Sequence, residues 1–191
     1  MEKLDAIFLI GPQGSGKGTQ AKFLAEKLKF FYWEMGGILR EMAKTETDLG
    51  KKIKSLIDKG QLLSDEELFE VVDKKLKSLP AGQGVIFDGI PRSTPQAEKL
   101  LEFLKQQGRK NFVTLYISLP ESESLARLLK RAEIEKRADD AEDKIKYRLD
   151  QYKNRTLPVL EHLKANTVFY EIDGTPSIET VRQAINHSLG L

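Results

Sequence analysis

Short apolar runs alternate with amphipathic segments along the whole chain. The apolar runs predict five strands, at 6–10, 30–33, 85–88, 112–118 and 167–172. The amphipathic segments predict helices at 17–28, 38–44, 49–59, 64–78, 94–107, 121–134, 141–154 and 177–187. Strands separated by helices at this spacing predict a three-layer α/β/α fold with a central parallel sheet.

Polar side chains mark the starts of several of these helices. Ser64 and Glu67 have the spacing of a capping box, which predicts that a helix begins at Ser64. Thr94 followed by Pro95 predicts an N-cap with proline in the first turn. The pair Gly36-Gly37 predicts that the next helix begins only after the two glycines, at Ile38.

Composition narrows the class of protein. A chain of 191 residues that is 40% hydrophobic suits a single domain with a substantial core. The charges nearly balance, 31 basic against 29 acidic residues, which argues against a nucleic-acid partner. The apolar runs are too short to span a bilayer, and the first strand leaves no room for a signal peptide. We therefore expect a cytoplasmic protein with no membrane partner.

The absence of cysteine excludes a whole group of chemistries. Without cysteine the chain forms no disulfide, offers no thiolate nucleophile and holds no cysteine-bound zinc. Its two histidines, His162 and His187, lie on late helices without a catalytic motif, so we interpret both as structural.

A glycine-rich turn follows the first strand and precedes the first helix. Its sequence is Gly11-Pro-Gln-Gly-Ser-Gly-Lys-Gly-Thr-Gln20. Glycines allow a tight turn whose amides point inward, and the positive end of the helix adds to the field. Lys17 can reach the outer phosphates of a nucleotide, and the Thr19 hydroxyl can lie near a phosphate-bound Mg²⁺. This context predicts a phosphate-binding loop.

A carboxylate and a glycine follow other strands. Asp88 ends an otherwise apolar strand, where it could hold Mg²⁺ through water. The last strand ends at Ile172 and leads into Asp173-Gly174. Because ligands of parallel α/β sheets bind beyond the carboxyl ends of the strands, we expect both residues near the loop.

Six arginines form a second candidate constellation. Phosphoryl transfer requires positioning and neutralisation of charge spread over several oxygens, which guanidinium groups provide better than ammonium groups. Arg127 and Arg131 are four residues apart and share one helix face. The six are Arg40, Arg92, Arg127, Arg131, Arg137 and Arg148.

Together these motifs resemble the nucleoside monophosphate kinases, and among them the adenylate kinase family most closely. The resemblance covers nearly the whole chain, and the lysine–glycine–threonine form of the loop is this family's own. It is carried by the glycine-rich turn together with Asp88-Gly-Ile-Pro-Arg92, Thr94-Pro-Gln-Ala97, Leu128-Leu-Lys-Arg131, Arg137-Ala-Asp-Asp140 and Tyr147-Arg-Leu149.

The resemblance implies a monomeric, magnesium-dependent phosphotransferase that converts ATP and AMP into two ADP. It implies one P-loop kinase domain, 1–191, with a helical NMP-binding insertion at 34–63 and a short lid at 130–140. The lid is of the short type, too brief for a zinc-bound hairpin, so no zinc is expected.

The resemblance also implies a role for individual residues. The ATP site would comprise Gly14, Ser15, Gly16, Lys17, Gly18, Thr19, Arg127, Arg131 and Gly174. The AMP site would comprise Met35, Arg40, Gln61, Leu62, Leu63, Gly89, Ile90, Pro91, Arg92, Gln96, Arg137 and Arg148. Lys17, Asp88, Arg92, Arg127, Arg131, Arg137 and Arg148 would be catalytic, and Thr19 and Asp88 would bind Mg²⁺.

One segment departs from the family pattern. Adenylate kinases usually have Ser-Thr-Gly-Asp where this chain has Glu34-Met35-Gly36-Gly37, so a hydroxyl that would meet the base is replaced by a thioether. A kinase for UMP or CMP therefore stays open as an alternative, as does a non-catalytic ATP-binding module. Gln96 favours AMP, because an amide can pair with an adenine edge through two hydrogen bonds.

Overall fold

Five strands form one fully parallel sheet. The computed structural model describes residues 3–59, 64–80, 82–135 and 142–191. The strands are β1 (Ala6–Ile10), β2 (Phe31–Glu34), β3 (Val85–Asp88), β4 (Phe112–Ser118) and β5 (Val168–Asp173), in the order β2-β3-β1-β4-β5. All neighbouring pairs are parallel, which confirms the predicted sheet.

Helices connect these strands. They are α1 (Lys17–Leu28), α2 (Met35–Met42), α3 (Asp48–Asp58), α4 (Asp65–Lys77), α5 (Thr94–Gln106), α6 (Glu121–Glu135), α7 (Glu142–Gln151), α8 (Val159–Asn166) and α9 (Ile178–Leu189). A π-helical turn, Tyr152–Thr156, continues α7. Within the described parts of the chain, no helix is long and apolar enough to cross a membrane.

The sheet is buried on both faces because successive side chains of a strand point in opposite directions. In β1, Ala6, Phe8 and Ile10 belong to a core that includes residues of α4, α5 and α8. Ile7 and Leu9 belong to a second core, with residues of α1 and α9. The layers are therefore helix, sheet and helix, as the alternation of strands and helices predicted.

Register brings the carboxyl ends of the strands to one edge. Leu9 of β1 pairs with Asp88 of β3, and Asp88 in turn pairs with Glu34 of β2. On the other side, Ser118 of β4 pairs with Asp173 of β5. The glycine-rich turn leaves β1 at the centre of this edge, so the groups that follow the strands surround it.

The predicted start of α2 and the predicted N-cap of α5 are wrong, the first by three residues and the second by one. Helix α2 begins at Met35, so Gly36 and Gly37 lie inside it and do not precede it. The reason is that β2 continues to Glu34, whose extended backbone passes directly into the first helical turn. Ser93 caps α5 in place of Thr94, because its hydroxyl accepts a hydrogen bond from the backbone N–H of Gln96.

Helix α8 is absent from the prediction. The predicted helix at 141–154 ends before Pro158, and this proline lies at the N-cap of a new helix, where its missing N–H costs nothing. Burial of Val159, Leu160 and Leu163 against the sheet stabilises the helix. The apolar residues Val159, Leu160 and Leu163 are compatible with a helix, whereas Pro158 by itself favours the end of one.

The buried face of α5 gives a test of this core. Leu100 is fully buried, so we expect Leu100→Ala to lower the free energy of unfolding by about 2–5 kcal/mol through lost burial and a cavity. Leu129→Ala is the matched control, because Leu129 is 37% exposed, and we expect a change within about 0.5 kcal/mol. Urea unfolding measures both, and equal losses would contradict this assignment of the core.

Candidate active site

The glycine-rich turn presents the start of α1 to the edge of the sheet. Gly16 forms the N-cap with a φ of 90°, a left-handed conformation that strains any residue with a Cβ. Gly14 also has a left-handed backbone, with a φ of 83°, which lets the chain make the tight turn. The Ser15 amide bonds the Pro12 carbonyl at 3.2 Å and closes the turn. The N-terminus of α1 therefore faces the edge formed by the carboxyl ends of the strands, where its backbone amides can bind an anion.

The ammonium of Lys17 is folded back onto the turn. Its Nζ donates to the carbonyl oxygens of Gly11 and Pro12, both at 2.7 Å. Carbonyl dipoles thus hold the charge at the mouth of the loop. A phosphate could replace these neutral acceptors with an anionic one.

The environment of Lys17 lowers its pKa. Burial lowers the pKa of Lys17, the positive charges of Arg92 and Arg131 add to the shift and Asp88 opposes it, and the resulting pKa is about 8. These effects show that four charged groups from four parts of the chain lie within electrostatic range of one another.

Asp88 lies against the first turn of α1. A Cβ added to Gly18 would be 3.6 Å from Asp88 Oδ2 and 3.3 Å from the hydroxyl oxygen of Tyr32. The Tyr32 hydroxyl donates to the same carboxylate oxygen at 3.0 Å. Burial and the adjacent Asp88 both raise the pKa of Tyr32, so the phenol keeps its proton and serves as a donor.

The guanidinium of Arg92 is held beside Asp88. Its Nε donates to the carbonyl oxygen of Gly89 at 2.8 Å. Burial lowers the pKa of Arg92 and the nearby Arg148 adds to this, whereas Asp88 favours the charged form. Arginine nevertheless stays charged at any working pH.

Gln96 is buried and oriented by the protein. Its Oε1 accepts from the backbone N–H of Arg92 and its Nε2 donates to Asp65 Oδ1, both at 2.7 Å. An amide oxygen has two lone pairs and an amide nitrogen two hydrogens, so each atom retains one hydrogen-bonding position. The two protein partners fix which end of the amide donates and which accepts.

Arg127 connects α6 to the loop after β5. Its guanidinium donates to the carbonyl oxygens of Gly174 at 3.0 Å and Thr175 at 3.1 Å, and its Nε pairs with Glu123 at 2.8 Å. A Cβ on Gly174 would come within 2.7 Å of the Ser118 carbonyl oxygen, so only glycine fits there. The loop after β5 thereby packs closely against the end of β4.

A cavity of about 590 Å³ brings most of the predicted residues together. It is lined by Gly14, Gly16, Lys17, Gly18, Thr19, Met35, Arg40, Asp88, Gly89, Ile90, Pro91, Arg92, Gln96, Arg127, Arg131 and Arg148. Ser15 and Gly174 lie next to this wall without being part of it. Gln61, Leu62, Leu63 and Arg137 lie outside the described residues.

Comparison with known proteins assigns the chain to a family. Residues 9–168 match the model of the family described as adenylate kinase. The adenylate kinase of Bacteroides fragilis is 40% identical over 179 residues, which cover 94% of this chain and 95% of that protein. The adenylate kinase of Thermus thermophilus is 35% identical over 191 residues, the full length of both. The chain belongs to the adenylate kinase family.

The magnesium that this family generally uses with ATP fits the site as a nucleotide-borne ion. Among the described residues, no cluster of three or more histidine, cysteine or acidic side chains could form a metal cage. Asp88 supplies one carboxylate, of which one oxygen accepts from Tyr32, and Thr19 supplies a hydroxyl on the adjacent turn. Mg²⁺ keeps most of its waters when phosphates supply the remaining ligands, so these two groups suffice.

Three residues that donate hydrogen bonds at or near the site were not predicted from the sequence. The apolar run at 30–33 predicts a strand and gives Tyr32 no role in the site, although a phenol that packs in a core normally finds a hydrogen-bond partner. Ser124 in α6 is fully buried and donates to the carbonyl oxygen of Gln13 in the turn. The Thr156 hydroxyl donates to the carbonyl oxygen of Arg92 at 3.3 Å. Nothing in the local sequence distinguishes these two hydroxyls from surface ones.

The lowered pKa of Lys17 predicts how stability depends on pH. Folded Lys17 loses its proton near pH 8, whereas a lysine in the unfolded chain keeps it until about 10.5. The unfolded state therefore binds more protons between these values, and the free energy of unfolding contributed by Lys17 rises with pH across that window. We expect Lys17→Met to be more stable than wild type below pH 8, and the difference to shrink from pH 8 to 10.5.

Urea unfolding at several pH values measures this difference. Lys27→Met, the same change at an exposed lysine of α1, controls for the loss of a lysine from this helix. If the difference in free energy of unfolding between wild type and Lys17→Met stayed constant from pH 8 to 10.5, the lowered pKa of Lys17 would be contradicted.

Proposed function

We propose that this protein is an adenylate kinase, which transfers the γ-phosphoryl group of ATP to AMP and forms two ADP. The observation that carries the proposal is the cavity in which a phosphate-binding turn, the Asp88 carboxylate and arginines from α2, α6, α7 and the loop after β3 converge. Membership of the adenylate kinase family supports this choice among phosphotransferases.

ATP would bind at the turn between β1 and α1. The backbone from Gly14 to Thr19 would surround its phosphates, and Lys17 would exchange the Gly11 and Pro12 carbonyls for phosphate oxygens. Arg127 and Arg131 would lie along the same phosphates from α6, with the adenine against Gly174. Mg²⁺ near Thr19 and Asp88 would supply charge neutralisation at the transferred group.

AMP would bind on the other side of Asp88. Arg40 and Arg92 would hold its phosphate, with Arg137 and Arg148 near the transferred group. Its base would lie near Met35 and against the backbone of 61–63 and 89–91. The free positions of the Gln96 amide would pair with the adenine edge, which needs one donor and one acceptor.

The reaction then needs little covalent participation by the protein. An oxygen of the AMP phosphate attacks the γ-phosphorus of ATP, and the bond from that phosphorus to the β–γ bridging oxygen breaks as the new bond forms. The attacking oxygen is already an anion, so no base has to remove a proton. What the protein contributes is alignment of the two nucleotides and compensation of their charge by Lys17 and the arginines.

Two segments would close over the nucleotides. We assign the NMP-binding part to 34–63, which contains α2 and α3 in its described part, and the lid to 130–140, which begins in the last turns of α6. Closure would exclude water, so that AMP and not water accepts the phosphoryl group. We propose a monomer, as the resemblance to the family implies.

Comparison of the reaction rates with four nucleoside monophosphates tests which of them is the phosphoryl acceptor. With ATP and Mg²⁺ as donor, we expect kcat/KM for AMP to exceed that for UMP, CMP and GMP, because the fixed Gln96 amide suits an adenine edge. Coupled measurement of ADP formation gives the four values. A higher kcat/KM for UMP or CMP would indicate a pyrimidine nucleotide kinase, and binding of ATP without turnover of any monophosphate would indicate a non-catalytic module.

Lys17 is tested by removal of its charge. Lys17→Met should lower kcat by roughly 10²–10³-fold or more, because a preorganised cation at the transferred group is lost. Circular dichroism should show that the fold is retained, and Lys27→Met on the same helix should keep the wild-type rate. Near-wild-type turnover of Lys17→Met would remove Lys17 from its proposed role.

A further inference from the structure

An ion pair spans the first turn of α2 at the edge of the cavity. Arg40 Nη2 and Glu34 Oε1 are 2.7 Å apart, and the two side chains are 39% and 41% exposed. Both residues line the cavity that also contains Arg92. The guanidinium assigned to the acceptor phosphate is thus already bonded to a carboxylate of its own chain.

The two glycines of α2 leave the space that this pair occupies. A Cβ on Gly37 would lie 3.1 Å from Glu34 Oε2 and 3.2 Å from its Cδ. A Cβ on Gly36 would lie 3.0 Å from Arg40 Nη1. Glycine is unfavourable inside a helix, and α2 contains two in succession. Accommodation of the ion pair gives a physical reason for both.

We propose that Glu34 sets the affinity for the acceptor nucleotide by competing with its phosphate for Arg40. This inference rests on the proposed function, because it takes Arg40 as a phosphate ligand. A carboxylate and a phosphate both bind a guanidinium through paired hydrogen bonds, so they compete for the same donors. A phosphate that reaches Arg40 must displace Glu34 or bind beside its negative charge.

The backbone keeps Glu34 within reach of Arg40. Glu34 is the last residue of β2 and pairs with Asp88, so its Cα is fixed by the sheet. Its side chain is exposed enough to swing into solvent when a phosphate arrives. Glu34 also raises, and Arg40 lowers, the pKa of Tyr32, which places the pair within electrostatic range of the Tyr32–Asp88 contact.

In contrast, two other cations of the cavity, Lys17 and Arg92, donate to neutral oxygens. Lys17 is held by two carbonyls and Arg92 by the carbonyl of Gly89. Exchange of a carbonyl for a phosphate does not require an anion to leave. The competition by Glu34 should therefore weaken the acceptor site selectively and leave the ATP site unaffected.

The test compares AMP with adenosine, which has the base and ribose but no phosphate. Calorimetry without ATP gives equilibrium Kd values for wild type and Glu34→Gln. We expect Glu34→Gln to lower the Kd for AMP about 2- to 10-fold, the range set by loss of an exposed ion pair plus a like-charge contact. The Kd values for adenosine and for ATP should not change, and kcat/KM for AMP should rise by the same factor as its affinity.

Two further variants sharpen the comparison. Glu41→Gln removes a charge from the same helix, but Glu41 pairs with Lys44 at 2.7 Å and is exposed, so AMP affinity should not change. Gly37→Ala places a methyl group against the Glu34 carboxylate, so it should loosen the pair and lower the Kd for AMP in the same direction as Glu34→Gln.

The outcomes separate this inference from the proposed function. An unchanged AMP affinity in Glu34→Gln, an equal shift for adenosine, or an equal shift in Glu41→Gln would overturn the role of Glu34. Failure of wild type to form ADP from AMP would instead overturn the proposed function. A fall in AMP affinity in Glu34→Gln would show that Glu34 assists binding, which also contradicts the competition.

Discussion

Repulsion among positive charges that share one cavity is the constraint on which this site depends. Burial lowers the pKa of Lys17 and of Arg92; the charges of Arg92 and Arg131 add to the shift of Lys17, and the charge of Arg148 adds to that of Arg92. Asp88 offsets part of this cost, and backbone carbonyls offset more. Lys17 and Arg92 are thus held in place by backbone carbonyls, which an incoming phosphate can replace without expelling an anion. Such an arrangement is preorganised for polyanionic ligands.

The hydrogen bonds that maintain this arrangement come from distant parts of the chain. Ser124 of α6 holds the Gln13 carbonyl of the turn, and Arg127 of the same helix holds the loop after β5. Thr156, in the π-helical turn, holds the carbonyl of Arg92. Helix α6 therefore contacts the loops after both β1 and β5 through its buried side. Any movement of its C-terminal end would pivot about these contacts.

The part of the cavity proposed to bind the acceptor nucleotide is organised differently from the part proposed to bind ATP. Arg40 is paired with the carboxylate of Glu34. The Gln96 amide already has a protein partner at its oxygen and at its nitrogen, and Met35 contributes a buried apolar surface. On the ATP side, carbonyl oxygens and backbone amides predominate. The segment that departs from the family pattern thus coincides with the part of the cavity where, on our proposal, the protein's own groups would compete with a ligand.

Sequence by itself determined the sheet, most of the helices and the phosphate-binding turn of this protein. Each depends on neighbours within one segment: the continuous apolar run of β1, the capping box at Ser64, and the glycines around Lys17. Helix α8 and the start of α2 were misjudged, because burial against the sheet and the end of a strand outweighed local proline and glycine signals.

Only the tertiary structure decided which polar side chains meet. Tyr32 and Asp88 are 56 residues apart, Ser124 and Gln13 are 111 apart, and Gln96 and Asp65 are 31 apart. Even the Glu34–Arg40 pair, only six residues apart, depends on a strand ending where a helix begins. The physical reason is that a hydrogen bond is specific to within a few tenths of an ångström, and such precision comes from the packing of the sheet and its helices.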